Sequence, residues 1–322
     1  MDRKKVLSKI KGYAKMHLLG YSIFMGGLLY IGGLKHGYWN QIMRHRITHK
    51  LSKKYKNKII EYKCKIDSDY DKLPHQKPNK IWICWFQGMD AAPQLVKACY
   101  LSICKHLGAK YEITVIDENN IYKYVQFPEF IIEKYKKGYI SKTMFSDIVR
   151  LELLSQYGGI WIDATVFCSG EDIPSYMLND DLFLFQIVEP DLLTQATRID
   201  SWYISSCQNN KLILLTKYLL FDYWQHYNIL VDYFLMFDFF EMAISVYNSE
   251  WRQVIPFSRC ASCLLQPRLF DQYDDSLWCG ITKQTPFHKL TYKFEEIYHC
   301  DESKLLNRPN TIYKEIINKY EL

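Results

Sequence analysis

One stretch of the chain, YGGIWIDATVFC at residues 157–168, places a single carboxylate within an apolar run. Asp163 follows three bulky apolar residues, a pattern typical of a buried strand with an acid near its carboxyl end. In parallel sheets, ligands bind beyond the carboxyl ends of the strands. Thr165 stands where a second carboxylate would complete an Asp-x-Asp pair. The stretch therefore predicts a ligand-binding acid without an acidic companion.

A second pair of charged residues precedes this strand. Asp147 and Arg150 are three residues apart, so they share one face of a predicted helix. Their neighbours are nearly all apolar, and a buried Asp and Arg must be paired or hydrogen-bonded. Taken alone, the two residues favour an internal ion pair over a functional role. The turn at residues 158–159 brings this helix back beside Asp163, and that convergence favours a functional site.

Two carboxylates and a guanidinium at a strand end fit sugar transfer from a nucleotide sugar. The diphosphate leaving group gains negative charge, which a divalent cation can neutralise as a Lewis acid. Hard cations such as Mg²⁺ take oxygen ligands and often need only one or two carboxylates beside phosphates and water. Asp147 and Arg150 can hold sugar hydroxyls, because charged groups form strong, directional hydrogen bonds.

The elements that must position these residues alternate between strands and helices. Strands are predicted at residues 81–88, 111–120 and 160–167, with helices from about Pro93 and over residues 141–159. This order predicts an α/β fold with a mostly parallel sheet flanked by helices. Residues 211–247 predict two further helices among C-terminal helical additions. No G-x-G-x-x-G follows the first strand, which disfavours a dinucleotide-dependent enzyme.

The amino-terminal arm differs in charge from the rest of the chain. Residues 1–63 contain 15 Lys and Arg against 2 Asp and Glu, so the arm carries +13 and the remainder −7. We expect this helical arm to associate with a membrane, residues 64–77 to form a linker, and residues 78–322 to form the catalytic domain. The acidic body and the lack of a base-stacking motif disfavour nucleic acid as a partner.

An uncharged run at residues 18–34 lies inside the arm. Its 17 residues include five glycines, and it lacks the small-residue cleavage site of a secretory signal. We expect a shallow anchor in the plane of the membrane, which places the protein in the cytoplasm on the inner face of the cell membrane. A helix buried against the body and a true membrane span are the alternatives. The 10 cysteines are then reduced thiols, and the pair Cys260 and Cys263 is a weak zinc signal.

The stretch FSDIVRLELLSQYGGIWIDATVFCSG resembles the core of the capsular polysaccharide synthesis protein family. That family is similar to glycosyltransferases with a DXD region, including yeast-type mannosyltransferases and clostridial glucosylating toxins. PNKIWICWFQGMDAAPQLVKACYLSI resembles the first strand and helix of the same family, and HKLTYK its closing segment. The similarity spans roughly residues 78–293. It implies a GT-A-like (Rossmann-type) fold and a nucleotide sugar donor, with UDP-sugars favoured.

The resemblance also implies roles for individual residues. Asp147 and Arg150 fall on the contacts to the donor sugar, Asp163 on the first acid of DXD, and Trp85 on the aromatic that stacks the base. Trp82 lies in the same strand, but the two tryptophans face opposite sides, so only one can line a pocket.

This chain departs from the DXD pattern at Thr165, which puts the Mn²⁺ or Mg²⁺ cofactor in doubt. A hydroxyl can coordinate a cation or hold a metal-bound water, but it adds no charge. His288 is the candidate for a compensating third ligand. Lys289 is expected to reach the diphosphate, and Asp117, at the end of the second strand, the ribose.

On the acceptor side, Ser201 and Trp202 lie where the resembling enzymes form a loop. These features predict a glycosyltransferase that extends a cell-surface polysaccharide or another glycan, with a glycan or lipid-linked acceptor. The alternative is a catalytically weak factor that binds carbohydrate or nucleotide sugar during polysaccharide assembly. The neutral Thr165 is the feature in favour of that alternative.

Overall fold

A five-stranded sheet forms the centre of the fold in the computed structural model, which describes residues 10–33, 36–170, 172–188 and 196–320. The strands are β1 (Lys80–Cys84), β2 (Glu112–Ile116), β3 (Gly159–Ile162), β4 (Val166–Cys168), β5 (Leu182–Gln186), β6 (Ile199–Ser206) and β7 (Phe287–Lys289). The central sheet has the order β2-β1-β3-β6-β5, and β4 pairs with β7 in a separate ribbon. In the central sheet, β1 is parallel to β2 and β3, whereas β6 is antiparallel to β3 and β5. The sheet is therefore mixed, whereas a mostly parallel sheet was expected.

Helices cover both faces of this sheet. In the described residues they are Leu19–Ile31, His36–Asp69, Gln94–Leu107, Ile121–Tyr124, Glu129–Lys136, Lys142–Tyr157, Ser175–Asn179, Lys211–His226, Leu235–Val246, Asn248–Trp251, Asp275–Thr282, Phe294–Tyr298, Glu302–Leu306 and Ile312–Lys319. Short 3₁₀ turns lie at Tyr70–Lys72, Met89–Ala91, Ala261–Cys263 and Gln266–Arg268. The α/β fold class is confirmed.

The predicted first half of the sheet is present, with one correction. The helix after Pro93 runs over Gln94–Leu107, and the next two predicted strands and the helix between them are also found. However, the single strand expected at residues 160–167 is divided into β3 and β4. The residues between them form a turn, so Asp163 lies just beyond a strand rather than within one.

The second half of the sheet was not predicted. The two helices expected at residues 211–247 are present, but β5 and β6 precede them in a region where we assigned no strands. Every residue of β5 is buried, and nearly all of β6 is. Such uniformly buried strands lack the polar alternation that marks a strand with one face in water.

The predicted arm is joined to the body by a long helix. His36–Asp69 continues through the expected boundary at residue 63 and into the expected linker at 64–77. Its buried side chains recur at helical spacing and enter the core cluster that also contains residues of the helix Lys211–His226; they are Met43, Ile47, Leu51, Tyr55 and Ile66. This helix therefore stabilises the body, and a division at residue 63 does not match the packing.

The helix Leu19–Ile31 is packed much less closely. Leu29 is its one buried residue, whereas Ile23, Phe24, Tyr30 and Ile31 are more than half exposed. At 1.5 Å per residue its 13 residues extend about 20 Å, less than the roughly 30 Å of a bilayer core. Across the described ranges, the structure contains no helix both long and apolar enough to be a candidate membrane span.

Candidate functional site

Asp163 occupies a tight turn at the carboxyl end of β3. Its backbone N–H donates to the carbonyl of Trp202 at 2.8 Å, and its own carbonyl accepts from Val166 N at 3.0 Å. Two residues on, the carbonyl of Thr165 accepts from Leu290 N at 3.0 Å. Hydrogen bonds from β6 and from the end of β7 thus fix the backbone on which both Asp-x-Asp positions stand.

Two glycines set the angle between the helix Lys142–Tyr157 and β3. Gly158 and Gly159 have φ values of +69° and +95°, a region that side chains with a Cβ rarely adopt. A Cβ on Gly159 would also lie 2.6 Å from the carbonyl oxygen of Lys80 in β1. The chain can therefore reverse here at close range, which returns the helix alongside the strand.

The reversal brings the predicted charged residues together. Arg150 is 3% exposed, and its Nη1 donates to Asp147 Oδ1 at 2.7 Å. Its Nη2 donates to Asp163 Oδ1 at 3.0 Å, and its guanidinium lies 4.8 Å from the centre of the Trp161 ring. One buried guanidinium thus links two carboxylates from different elements, as the sequence predicted.

Asp163 has two further donors. Trp161 Nε1 donates to Oδ1 at 2.9 Å, and Lys289 Nζ donates to Oδ2 at 2.8 Å. Burial alone would raise the pKa of Asp163, but Lys289 and Arg150 together lower it to about 2. Asp163 is therefore an anion at every physiological pH.

Asp147 behaves differently because it is deeper. Burial raises the pKa of Asp147 to about 6, although Arg150 opposes that rise and the negative charge of Asp163 adds to it. The two carboxylates thus differ widely in acidity while sharing one guanidinium. A pair of this kind is typical of functional sites, because neighbouring groups with separated pKa values can take different roles.

Of the predicted metal ligands, Thr165 lies beside Asp163 but His288 does not. Lys289 Nζ donates both to Asp163 Oδ2 and to Thr165 Oγ1, each at 2.8 Å, so an ammonium already bridges the two Asp-x-Asp positions. His288 precedes Lys289 in β7 and therefore faces the other side. It is fully buried, its Nε2 lies 2.9 Å from Ser169 Oγ, and burial lowers its pKa to about 3.

No cluster of three His, Cys, Asp or Glu side chains in the described part of the chain could hold a metal ion. The hypothesis of a divalent cation held by Asp163, Thr165 and His288 is therefore not supported by the positions of these residues. Cys260 and Cys263 are exposed free thiols.

Trp85 lies at the same edge of the sheet as Asp163, since β1 and β3 are parallel neighbours. Its ring is half-buried and lies 5.5 Å from Tyr292 in an edge-on contact. Trp85 Nε1 is buried without a hydrogen-bond partner among the described residues, as a ligand-binding donor would be. Trp82, by contrast, is fully buried and donates to the Gly158 carbonyl at 2.9 Å, so it belongs to the core.

Asp117 follows β2 at this edge, where its carboxylate accepts the backbone N–H groups of Asn119 and Asn120, each at 2.8 Å. That carboxylate therefore shapes a turn.

Ser201 and Trp202 lie within β6 rather than in the expected loop, and Trp202 stacks on Phe185 at 4.3 Å. Because β6 is antiparallel to β3, its amino end nevertheless lies beside Asp163.

The structure also contains a cleft of about 1100 Å³. Its lining combines charged and aromatic side chains, including Arg44, Tyr139, Asp200, Asp232, Phe234 and Arg259. Asp200 lies two residues before Trp202, and the lining residues Phe234 and Phe237 flank Met236, whose Sδ is 3.9 Å from Arg150 Nη1. Asp147, Arg150 and Asp163 do not themselves line the cleft, but Met236, which contacts Arg150, lies beside residues that do.

Sequence reasoning missed several members of this region. Asp200 pairs with Arg259 at 3.4 Å, although 59 residues separate them. Trp161 donates to Asp163 from within an apolar run that looks purely structural. Only the i, i+2 spacing of Trp161 and Asp163, which puts both on one side of an extended chain, could have indicated that contact.

Comparison with known proteins identifies the family of this chain. The family model for capsular polysaccharide synthesis protein matches residues 37–315. The O-glycosyltransferase braB of Annulohypoxylon truncatum is 30% identical over 102 residues, which are 29% of this chain and 24% of that protein. The match thus spans about a quarter of that relative's length. The solved PaToxG glycosyltransferase aligns with a TM-score of 0.37 and 17% identity, covering 76% of this chain and 95% of its own.

Proposed function

The chain belongs to the capsular polysaccharide synthesis protein family, and from that membership we propose that it is a glycosyltransferase. It transfers a sugar from a nucleotide sugar, with UDP-sugars favoured, to a growing cell-surface polysaccharide or another glycan. The observation that carries the proposal is the linkage of Asp147, Arg150 and Asp163 at the carboxyl end of β3.

The donor lies at the carboxyl edge of the sheet. Trp85 offers an aromatic face and an unpartnered Nε1 to the base, and Lys289 and Arg150 present positive charge to the diphosphate. Asp147 accepts hydrogen bonds from hydroxyls of the donor sugar, which is a strong interaction for an ionised carboxylate in a buried position. The bond from the sugar to the diphosphate breaks during transfer, so fixed cations at that point stabilise the developing charge.

The acceptor binds in the adjacent cleft. Aromatic faces such as Tyr139 and Phe234 suit the apolar faces of sugar rings, and charged groups such as Asp200 and Arg259 suit their hydroxyls. Burial raises the pKa of Asp200 above its usual range, and Arg259 offsets only part of that rise. Ser201 and Trp202 serve the acceptor side indirectly, since their strand positions Asp200 and holds the backbone of Asp163.

The acceptor reaches this cleft at a membrane surface. The exposed apolar side chains of Leu19–Ile31 form an interfacial patch beside exposed basic residues. Among these, Arg46 lies over the ring of Tyr21 at 5.1 Å, and Lys11 and Lys15 precede the helix. An apolar face with a basic rim binds anionic lipid in the plane of the interface. The protein is then peripheral on the cytoplasmic side of the cell membrane.

A thermal-shift screen tests the donor. The full chain is mixed with UDP-, GDP-, ADP- and CDP-sugars, and the shift of the midpoint of unfolding is measured. A ligand at 100 times its Kd stabilises by about 2.7 kcal/mol, so the correct donor class raises the midpoint clearly above the others. Equal midpoints with every nucleotide sugar, at concentrations well above the usual range of Kd, would contradict the proposal.

A further inference from the structure

Lys289 occupies a special position between the two Asp-x-Asp residues. Its Nζ lies 2.8 Å from Asp163 Oδ2 and 2.8 Å from Thr165 Oγ1. An ammonium carries three N–H donors, and these two acceptors use two of them. The side chain remains 29% exposed, so a ligand that enters from solvent can contact it.

The backbone holds Lys289 in this place. In the β4–β7 ribbon, Lys289 is the register partner of Val166, and Leu290 N donates to the carbonyl of Thr165 at 3.0 Å. The lysine therefore starts from a strand that is hydrogen-bonded to the turn containing Asp163 and Thr165. Its position beside the two oxygens does not depend on a flexible surface loop.

A divalent cation at the same point would compete with this ammonium. A cation bound to Asp163 Oδ2 and Thr165 Oγ1 would lie about 2.0–2.6 Å from each oxygen, which is space that Lys289 Nζ occupies. The lysine would have to leave, and the cation would gain only one carboxylate, because the other ligand is a neutral hydroxyl. Arg150, on the opposite oxygen of Asp163, adds a second positive charge that repels the cation.

We infer that Lys289 takes the place of the divalent cation and that this chain binds the diphosphate of its donor without a metal. The inference rests on the proposed glycosyltransferase function. Asp163 then acts as a positioning residue that holds Lys289 on one oxygen and Arg150 on the other. Thr165 fits this arrangement, since a hydroxyl accepts the lysine without cancelling the charge that the diphosphate needs.

The absence of a second carboxylate thus has a physical reason. An acid at residue 165 would neutralise Lys289 and leave the cluster with an excess of negative charge beside an anionic ligand. Threonine keeps one hydrogen bond to the ammonium and adds no charge. The substitution is therefore consistent with an active site built around a lysine.

Calorimetric titration of the full chain with UDP, GDP, ADP and CDP in the presence of EDTA tests the inference. At least one nucleoside diphosphate should bind in EDTA, and added Mn²⁺ should change its Kd by less than about threefold. Binding that appears only with Mn²⁺ would overturn the inference and leave the proposed function intact. If no nucleoside diphosphate binds in either condition, both the inference and the proposed function fail.

Variants locate the effect at Lys289. Lys289→Met should weaken nucleoside diphosphate binding by about tenfold or more while leaving binding of the nucleoside alone unchanged, which a purely structural role would not do. Lys289→Arg should keep part of the affinity. Lys283→Met, at an exposed residue six positions earlier, is the matched control and should bind normally.

The double variant Thr165→Asp with Lys289→Ala recreates an Asp-x-Asp pair and removes the ammonium. It should gain a requirement for Mn²⁺ in diphosphate binding, and paramagnetic resonance of Mn²⁺ should detect the bound ion. Mn²⁺ binding by the wild type as tight as that of the double variant would contradict a lysine in the cation's place. A circular dichroism melt of each variant confirms that it is folded.

Discussion

Arg150 Nη2 donates to Asp163 Oδ1 at 3.0 Å and so ties the helix Lys142–Tyr157 to the turn after β3. Its other terminal nitrogen holds Asp147. The planar guanidinium reaches both carboxylates from fixed directions, which a lysine could not do. This one side chain therefore sets the distance between the group proposed to hold the sugar and the group proposed to position the diphosphate-binding lysine.

Asp163→Asn should lower sugar transfer by at least 100-fold while the chain remains folded. The amide keeps the shape of the side chain but removes the charge that holds Lys289 and Arg150. The initial rate of transfer from the donor found in the nucleotide screen provides the measurement. Activity within threefold of the wild type would contradict a central role for Asp163.

Arg150→Met should reduce stability strongly. The change leaves Asp147 buried without its partner, and breaking a buried ion pair by removing one member costs about 3–5 kcal/mol. Chemical denaturation monitored by tryptophan fluorescence gives the free energy of unfolding. The double variant Arg150→Met with Asp147→Leu serves as the control, because it removes the orphaned charge and should recover part of the loss. A single variant as stable as the wild type would contradict the buried ion pair.

Donor binding should weaken as the pH falls through about 6, because Asp147 then becomes protonated. The free energy of unfolding, in contrast, should increase as the pH falls. The pKa of Asp147 is raised on folding from 3.8 to about 6, so the folded state binds this proton more readily. The contribution of Asp147 to stability therefore grows as the pH falls from 6 toward 4.

Titration calorimetry between pH 5 and 7 measures the donor affinity, and thermal melts between pH 4 and 7 measure stability. Asp147→Asn should bind the donor more weakly at neutral pH and show no step near pH 6. If the donor affinity of Asp147→Asn changed near pH 6 as much as that of the wild type, another group would be responsible for the pH dependence.

Ile23→Glu with Phe24→Glu should weaken binding to anionic vesicles. These side chains are 74% and 62% exposed, and charged groups there cannot enter the lipid interface. Co-sedimentation with vesicles containing phosphatidylglycerol measures the effect. Ile297→Glu, at an exposed apolar residue elsewhere, is the matched control. Undiminished sedimentation of the double variant would contradict membrane docking through Leu19–Ile31.

By contrast, deletion of residues 1–63 should unfold the body, because it removes Met43, Ile47, Leu51 and Tyr55 from the core.

The sequence predicted the parts of the site that lie close together along the chain. Asp147, Arg150 and Asp163 fall within 17 residues, and helix periodicity plus the glycine turn is enough to bring them together. Asp200 and the cleft could not be predicted, because they depend on β6. That strand is buried on both sides and shows no alternation of polar and apolar residues. The roles of His288 and Lys289 required the register of β7 with β4, since a shift of one residue exchanges their faces.

The contacts of the amino-terminal arm were likewise not predictable from local sequence. The basic composition predicted a helical arm, and His36–Asp69 is a helix, but the composition did not indicate that Met43, Ile47 and Leu51 pack into the body. These three residues recur at every fourth position and therefore lie on one face of the helix. The basic residues between them obscure this apolar stripe in the sequence. The partner of that stripe is the helix pair at Lys211–His226 and Leu235–Val246, which is distant in sequence.

Slow hydrolysis of the donor in the absence of an acceptor tests the central claim most directly. The wild-type chain is incubated with the nucleotide sugar identified by thermal shift, and release of the free sugar and the nucleoside diphosphate is followed by chromatography. We predict release in equal amounts by the wild type, at least 100-fold slower release by Asp163→Asn, and normal release by Lys283→Met. Release of neither product by the wild type, despite measurable donor binding, would contradict the transferase and indicate a protein that only binds the donor.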